Sequence, residues 1–216
     1  MLTSVEVCTG AGGQALGLEQ AGFDHLALVE NDPWACSTLR LNRPRWSVHE
    51  TDLLEWEPQG LDGIDLLAGG VPCPPFSKAG RQLGADDERD LFPRAIELVD
   101  QLRPKAVMLE NVRGLLDAVF QTYRTEVEGQ LRALGYEPGW RLLNASDFGV
   151  PQLRPRVVFV GIRRDISEYF EWPTPVETPP PTVGETLRDL MGSDGWLGAA
   201  AGAEDANLMG PPLDGG

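Results

Sequence analysis

The chain alternates short apolar runs with amphipathic stretches over most of its length. Seven runs fit strands, and most of them are rich in Val, Leu, Ile and Ala and too apolar to leave either face in water. Such runs are typical of strands in a parallel sheet that is covered on both sides. The predicted strands are residues 4–8, 26–30, 47–52, 64–70, 105–111, 139–145 and 156–162.

The stretches between these strands predict helices at residues 12–22, at 33–42, at 91–102, and from the fifth strand to about residue 134. Strands that alternate with helices predict a doubly wound, Rossmann-like α/β fold with a seven-stranded, mostly parallel sheet. The sixth and seventh strands are too close together for a helical crossover. The last strand is therefore predicted to be antiparallel, in a hairpin at one edge.

The pattern of strands and helices ends near residue 163. Residues 1–163 are predicted to form the main domain, and residues 164–191 a proline-rich spacer with one short helix. Residues 192–216 contain seven Gly, five Ala and two Pro. This composition cannot bury a core, so a disordered tail is predicted there.

The charge and cysteine content exclude several classes of protein. The formal net charge is −15, and residues 164–216 contribute ten acidic and only two basic side chains. This balance argues against a stand-alone nucleic-acid binder, because phosphate contacts need Lys and Arg. Three widely spaced cysteines and two histidines indicate neither a disulfide framework nor a metal site. Without a signal segment or a membrane-length apolar run, we expect a soluble cytoplasmic protein.

A glycine-rich loop follows the first strand. Its sequence TGAGGQALG contains Gly10 and Gly12, which allow a tight turn and a close approach to a ligand at a helix N-terminus. Glu30, at the end of the second strand, is placed to accept hydrogen bonds from a ribose, and Asp52 could hold an adenine amine. These residues predict a nucleoside cofactor, either NAD or S-adenosylmethionine.

A cysteine among prolines follows the fourth strand. In GGVPCPPFSKAG, Cys73 lies between two prolines, which fix φ and remove backbone donors. The stretch is therefore a stiff loop that holds one thiol in a fixed position. Taken by itself, it fits a reactive cysteine and a buried, unreactive one equally well.

Four segments resemble the ordered motifs of the cytosine-5 DNA methyltransferase family. They are VEVCTGAGGQALGLEQAGF (5–23), GGVPCPPFSKAG (69–80), MLENVRGLL (108–116) and NASDFGVPQLRPRVVFVGI (144–162). The resemblance covers roughly residues 4–191. It implies an S-adenosylmethionine-dependent catalytic domain that methylates C5 of cytosine in double-stranded DNA, as in restriction–modification systems.

The resemblance also implies roles for individual residues. Cys73 would attack cytosine C6, and Glu110 would bind and protonate N3. Arg156 would contact the flipped base through its O2, and Arg154 would help to hold the nucleophile loop. DNA would be contacted by the loop that carries Ser77, Lys78 and Arg81, although Lys78 and Arg81 are equally typical of solvated surface charges.

The sequence departs from the family at two places. Cys8 stands where the family usually has phenylalanine beside the adenine. A thiol is smaller, so we expect some of this contact to be lost or to move to Leu91 or Trp34. The family's target-recognition domain and its closing segment are also missing from these residues. We therefore expect a catalytic chain that needs a second polypeptide for recognition. The alternatives are an inactive remnant, a cofactor-binding module, and an RNA cytosine-5 methyltransferase.

Overall fold

The computed structural model of the chain describes residues 1–72 and 90–193. The strands in these ranges are β1 (Leu2–Val7), β2 (Phe23–Glu30), β3 (Val48–Glu50), β4 (Leu66–Gly69), β5 (Ala106–Val112), β6 (Tyr136–Asn144) and β7 (Pro155–Arg163). The α-helices are α1 (Gly13–Gln20), α2 (Pro33–Asn42), α3 (Phe92–Leu102), α4 (Gln121–Ala133) and α5 (Val183–Ser193).

The strands form one seven-stranded sheet in the order β3-β2-β1-β4-β5-β7-β6. The pairs β1–β2, β2–β3, β1–β4 and β4–β5 are parallel, whereas β7 runs antiparallel to β5. The predicted doubly wound fold with an antiparallel last strand is confirmed. The final two strands are neighbours as predicted, but β7 lies inside the sheet and β6 is at its edge.

The strand order reverses between β1 and β4, so the chain winds away from the middle of the sheet in both directions. Parallel strands end at the same edge, and ligands of such sheets bind outside the carboxyl ends at the reversal point. Here Val7, Glu30, Gly69 and Val112 are the last residues of β1, β2, β4 and β5. This arrangement places Gly10, Glu30 and Glu110 along one edge of the sheet.

Both faces of the sheet are covered. On one face, the largest apolar cluster packs Val7 and Leu109 of the sheet against Phe92 and Leu98 of α3 and Leu131 of α4. On the other face, Leu18 of α1 packs with Leu66 and Ala68 of β4. Burial of each large side chain contributes about 1.5–3 kcal/mol, so the strands need no polar face.

The segment after β5 differs from the prediction. Two short 3₁₀ turns, Arg113–Leu116 and Ala118–Phe120, come before α4, so the long helix starts later than expected. Arg124 of α4 is buried and donates to the backbone carbonyls of Leu115 and Asp117 in these turns. The apolar pattern along the chain gave no sign that the buried guanidinium of Arg124 bonds these turns and keeps them separate from α4.

The chain divides into two compact units. Among the described residues, the first comprises 1–72, 90–142 and 156–172, and the second comprises 143–155 and 173–193. In the second unit, α5 begins with a capping box in which the Glu185 carboxylate accepts from the Thr182 amide at 2.7 Å. The predicted short helix is therefore present, while the boundary at residue 163 stays a prediction. No helix in the described ranges could span a bilayer.

A buried acid interrupts the apolar pattern of β1. Glu6 is fully buried, and within the described ranges no donor reaches hydrogen-bonding geometry to either of its carboxyl oxygens. Burial raises the pKa of Glu6 to about 8, although the backbone of Ala15 in α1 lies near enough to oppose this shift. Glu6 therefore carries a proton at neutral pH, which avoids a buried charge without a partner.

This raised pKa predicts a dependence of stability on pH. From pH 4.5 to about 8, the unfolded chain releases the Glu6 proton while the folded chain keeps it, so stability falls as pH rises through this window. Glu6→Gln removes this dependence. We expect its free energy of unfolding, relative to the unmodified chain, to increase between pH 5 and pH 8, by an amount on the order of a few kcal/mol.

Urea unfolding at several pH values measures this difference. Glu126→Gln, which removes an exposed carboxylate from α4, is the matched control. A Glu6→Gln difference that stays constant from pH 5 to pH 8 would contradict the assignment of a protonated Glu6.

Candidate functional site at the carboxyl edge of the sheet

The loop between β1 and α1 follows an unusual backbone path. Cys8, Gly10 and Gly12 have φ angles of 51°, 57° and 91°, in the left-handed region that favours glycine. A Cβ on Gly12 would lie 2.6 Å from Leu39 Cδ2 and 3.3 Å from the ring of Trp46, so only glycine fits there. Cys8 adopts this conformation with a side chain, and such strain is commonly found at functional sites.

Glu30 holds this loop in place. One of its carboxylate oxygens accepts from the Gly10 amide at 2.7 Å, and the other accepts from the amides of Asn31 and Asp32 at 2.9 and 2.8 Å. A carboxylate can accept about four hydrogen bonds, so one position remains for a ligand hydroxyl. Glu30 is only 9% exposed, and it therefore joins the glycine loop rigidly to the turn after β2.

Asp52 and Cys8 lie near the same carboxylate. The Thr51 amide donates to the Glu30 carbonyl at 3.0 Å, which brings the exposed Asp52 to this edge. Burial raises the pKa of the Cys8 thiol to about 12, and the charges of Glu30 and Asp52 add to this effect. Cys8 therefore stays a neutral thiol, unsuited to act as a nucleophile.

These residues fit a nucleoside cofactor. The left-handed glycines leave the start of α1 open to a ligand, and Cβ atoms on Gly10 and Gly13 would meet no atom within 4 Å. Glu30 has one remaining acceptor position, and Asp52 is exposed beside it. Leu91 is half-buried, as a pocket wall requires, whereas Trp34 is 83% exposed.

The second part of the site is an ion pair between β5 and β7. Glu110 Oε1 lies 2.6 Å from Arg156 Nε, and the antiparallel pairing places Arg156 opposite Val112. A Cβ on Gly70 would lie 3.6 Å from Glu110 Oε2 and 3.8 Å from the Cys8 carbonyl. Glu110 is therefore close to the exit of β4, three residues before Cys73, and to the end of β1.

The backbone that leads to Cys73 is held from β5. The side-chain amide of Asn111 donates to the Val71 carbonyl at 2.9 Å, and its oxygen accepts from the Val112 amide at 2.7 Å. Asn111 is buried, so both bonds are protected from water. The Glu-Asn-Val triplet thus supplies the predicted acid and, at the next position, an anchor for the exit of β4.

The predicted site residues have different outcomes. Cys73, Ser77, Lys78 and Arg81 lie outside the described residues. Arg154 belongs to the second unit and is exposed; its amide donates to the side chain of Asn144 at 2.9 Å. The structure brings together Cys8, Gly10, Glu30 and Asp52 at one position, and Glu110 and Arg156 at the next.

Sequence reasoning missed three polar groups near this edge. Glu6 and the anchoring bonds of Asn111 are described above. The third is the buried carboxylate of Asp90, which lies 2.8 and 2.9 Å from the hydroxyl of Tyr123. An acid inside an apolar strand was the only signal for Glu6, and no local pattern connects residue 90 with residue 123.

Comparison with known proteins identifies the family. Residues 2–207 match the model of the C-5 cytosine-specific DNA methylases. The type II methyltransferase M.NgoMIV of Neisseria gonorrhoeae is 61% identical over 91% of the chain, and M.NaeI of Lentzea aerocolonigenes is 55% identical over 100% of it. The chain spans 63% and 52% of the lengths of these two relatives.

The fold gives the same result. A crystal structure described as a DNA modification methyltransferase encoded within a prophage of E. coli has a TM-score of 0.73 and 27% identity, over 87% of this chain and 54% of that one. The family match covers nearly all of the described residues. The chain therefore belongs to the C-5 cytosine-specific DNA methylases.

Proposed function

We propose that this chain is the catalytic lobe of an enzyme that transfers a methyl group from S-adenosylmethionine to C5 of cytosine in double-stranded DNA. The observation that carries this proposal is the position of the Glu110–Arg156 pair. The pair lies beside Gly70, at the exit of the strand that leads to Cys73. A carboxyl group and a guanidinium at this strand end, with a cysteine three residues further along the chain from Gly70, are groups that attack at C6 of cytosine would require.

The glycine loop supports the cofactor part of the proposal. Gly10 and Gly12 would allow the cofactor to approach the start of α1. Glu30 would accept a hydrogen bond from one ribose hydroxyl, and Asp52 would accept one from the adenine amine. Leu91 and Cys8 would form the wall beside the adenine. When bound, S-adenosylmethionine supplies an electrophilic methyl group for C5.

The chain's own residues would prepare the base for this transfer. The Cys73 thiolate would form a bond to C6, and the electron pair of the C5–C6 double bond would move toward C4 and N3. Glu110 would donate a proton to N3, which leaves C5 as the nucleophilic carbon of an enamine. Arg156 would bind O2 and keep the base in plane. After the methyl group has joined C5, N3 would return its proton to Glu110. Loss of the C5 proton to a base and cleavage of the C6–S bond would then restore the thiolate.

Recognition of DNA would need protein beyond these residues. Lys78 and Arg81, with Ser77, would contact phosphates, and Arg154 would support the nucleophile loop. The net charge of −15 leaves too little basic surface to offset the few kcal/mol needed to flip a base. We propose that a second polypeptide carries the recognition domain.

The alternatives differ in what they predict for the same chain. An inactive remnant would bind neither cofactor nor partner productively, and a cofactor-binding module would bind cofactor without forming an adduct with cytosine. An RNA cytosine-5 methyltransferase would form the adduct with RNA. The joint presence of Cys73, Glu110, Arg154 and Arg156 favours a chain that performs the chemistry.

The cofactor site is tested by substitution of Glu30. Glu30→Ala removes the proposed ribose contact and also the Gly10 bond, so affinity for S-adenosylmethionine should fall by about 1–3 kcal/mol, or roughly 5- to 150-fold. Glu30→Gln keeps one carbonyl oxygen and should lose less. Titration calorimetry measures both, with Glu126→Ala on the surface of α4 as control. Equal affinities of Glu30→Ala and the unmodified chain would refute the assignment.

The need for a recognition polypeptide is tested by methyl transfer. We expect the chain alone to transfer no detectable radiolabelled methyl group to mixed-sequence duplex DNA at low salt. Addition of a polypeptide that carries a recognition domain, such as one encoded beside this chain, should give activity. Robust turnover by the chain alone would overturn this part of the proposal.

The nucleophile is tested first by alkylation. Cys36 is fully buried and burial raises its pKa, and the pKa of Cys8 is raised to about 12. Because reactivity follows the thiolate fraction and access, iodoacetamide should label Cys73 first among the three cysteines. Peptide mass spectrometry identifies the site. Faster labelling of Cys8 or Cys36 would contradict the assignment of Cys73.

The covalent step is tested in the complemented enzyme. DNA that contains 5-fluorocytosine should form an adduct with Cys73 that survives denaturation, because fluorine at C5 cannot leave as the proton does. Cys73→Ser should abolish this adduct, since a hydroxyl is far less nucleophilic than a thiol at neutral pH. An adduct that persists in Cys73→Ser would place the nucleophile elsewhere.

A further inference from the structure

The described residues on either side of positions 73–89 contact each other. The Leu91 amide donates to the Pro72 carbonyl at 3.3 Å, so the two residues form one junction in the first unit. Cys73 is bonded directly to Pro72. The junction therefore fixes the position of Pro72, the residue to which Cys73 is attached.

A buried polar pair lies on the Leu91 side of this junction. Asp90 is 8% exposed, and its carboxylate accepts from the Phe92 amide at 3.1 Å. The hydroxyl of Tyr123 in α4 lies 2.8 and 2.9 Å from the two carboxylate oxygens, so its proton is shared between them. Asp90 is thereby tied both to the start of α3 and to α4.

Packing alone does not require this pair. The fully buried ring of Phe92 already contacts the ring of Tyr123 edge-on, with centroids 6.1 Å apart, and joins α3 to α4. A buried carboxylate costs free energy unless it is hydrogen-bonded, and it adds little apolar area. The pair instead restrains the backbone at Asp90, because a hydrogen bond fixes its position more closely than ring contact does.

The opposite side of the junction is held from the proposed catalytic strand. Asn111 follows Glu110 in β5 and donates to the Val71 carbonyl at 2.9 Å. The backbone before Cys73 is thus fixed to the strand of Glu110, and the backbone at Leu91 is fixed to α4. Together these bonds set the distance between the start of the nucleophile stretch and the acid.

We infer that Tyr123 and Asp90 are positioning residues for the nucleophile. They hold Leu91, and Leu91 holds Pro72, so the pair acts on Cys73 through the backbone without touching the substrate. Leu91 is also the proposed adenine contact, and the same junction therefore connects the cofactor site with the nucleophile. This inference rests on the proposed role of Cys73.

The matched pair of substitutions Tyr123→Phe and Tyr169→Phe tests the inference. Tyr123→Phe keeps the ring contact with Phe92 and removes only the hydroxyl. Tyr169→Phe removes a hydroxyl at a position that is 79% exposed. Two quantities are measured in the full chain: hydrogen exchange of the Leu91 amide, and the rate of Cys73 alkylation with Cys36 as internal reference.

In Tyr123→Phe we expect hydrogen exchange of the Leu91 amide to be about tenfold faster, which corresponds to the loss of one buried hydrogen bond. Alkylation of Cys73 should be about threefold faster because Pro72, to which it is attached, is less restrained. The alkylation rate of Cys36 should not change. Asp90→Asn should reproduce both changes, and the double variant should add little to either. Tyr169→Phe should behave as the unmodified chain.

In the complemented enzyme, kcat should fall in Tyr123→Phe while KM for DNA stays within about twofold.

Two results would overturn the inference. One is unchanged Leu91 exchange and Cys73 alkylation in Tyr123→Phe. The other is a parallel rise for Cys36 and for amides throughout the sheet, which would show a general loss of stability. Failure of the proposed function is seen separately, because it appears in the unmodified chain as slow alkylation of Cys73 relative to Cys8 or Cys36.

Discussion

The site depends on how closely β4 approaches its two neighbours at the carboxyl edge of the sheet. A Cβ on Gly69 would lie 2.6 Å from the Val7 carbonyl, so only glycine allows β1 and β4 to pair to their ends. A Cβ on Gly70 would make ordinary van der Waals contact with Glu110 and with the Cys8 carbonyl, so these groups surround the exit of β4. The glycine loop, the acid and this exit are adjacent because Gly69 lets β4 pair with β1 to its end.

Charge is distributed unevenly around this edge. Glu30 accepts three backbone amides and needs no cation, whereas Glu110 is paired with Arg156. The carboxylates Glu30 and Asp52 help to keep Cys8 protonated. Burial, with a smaller contribution from these two acids, therefore keeps the thiol in the glycine loop unreactive. Since Glu30 organises the loop before any ligand binds, little conformational entropy remains to be lost on binding.

The position of β7 has the largest chemical consequence. If β7 followed β6 only at an outer edge, Arg156 would lie at least one strand away from Glu110. Because β7 inserts next to β5 and runs antiparallel, its first residues reach the carboxyl end of β5. Local hydrophobic patterns could not show this order. These patterns predict where strands occur, but the order of the strands depends on which of their edges pair and which of their faces pack in the core.

Apolar periodicity and motif spacing are local properties of the chain, so they suffice to predict the class of fold, the strand-end position of the glycine loop, Glu30 and Glu110, and the family. Other features appear only once the chain is folded: Asn111 anchors Val71, Asp90 meets Tyr123, and Glu6 lies buried without a hydrogen-bonding donor in the described ranges. Each of these involves groups far apart in sequence, or burial that depends on the whole core. Such contacts arise only when distant segments pack together, so no window of sequence contains them.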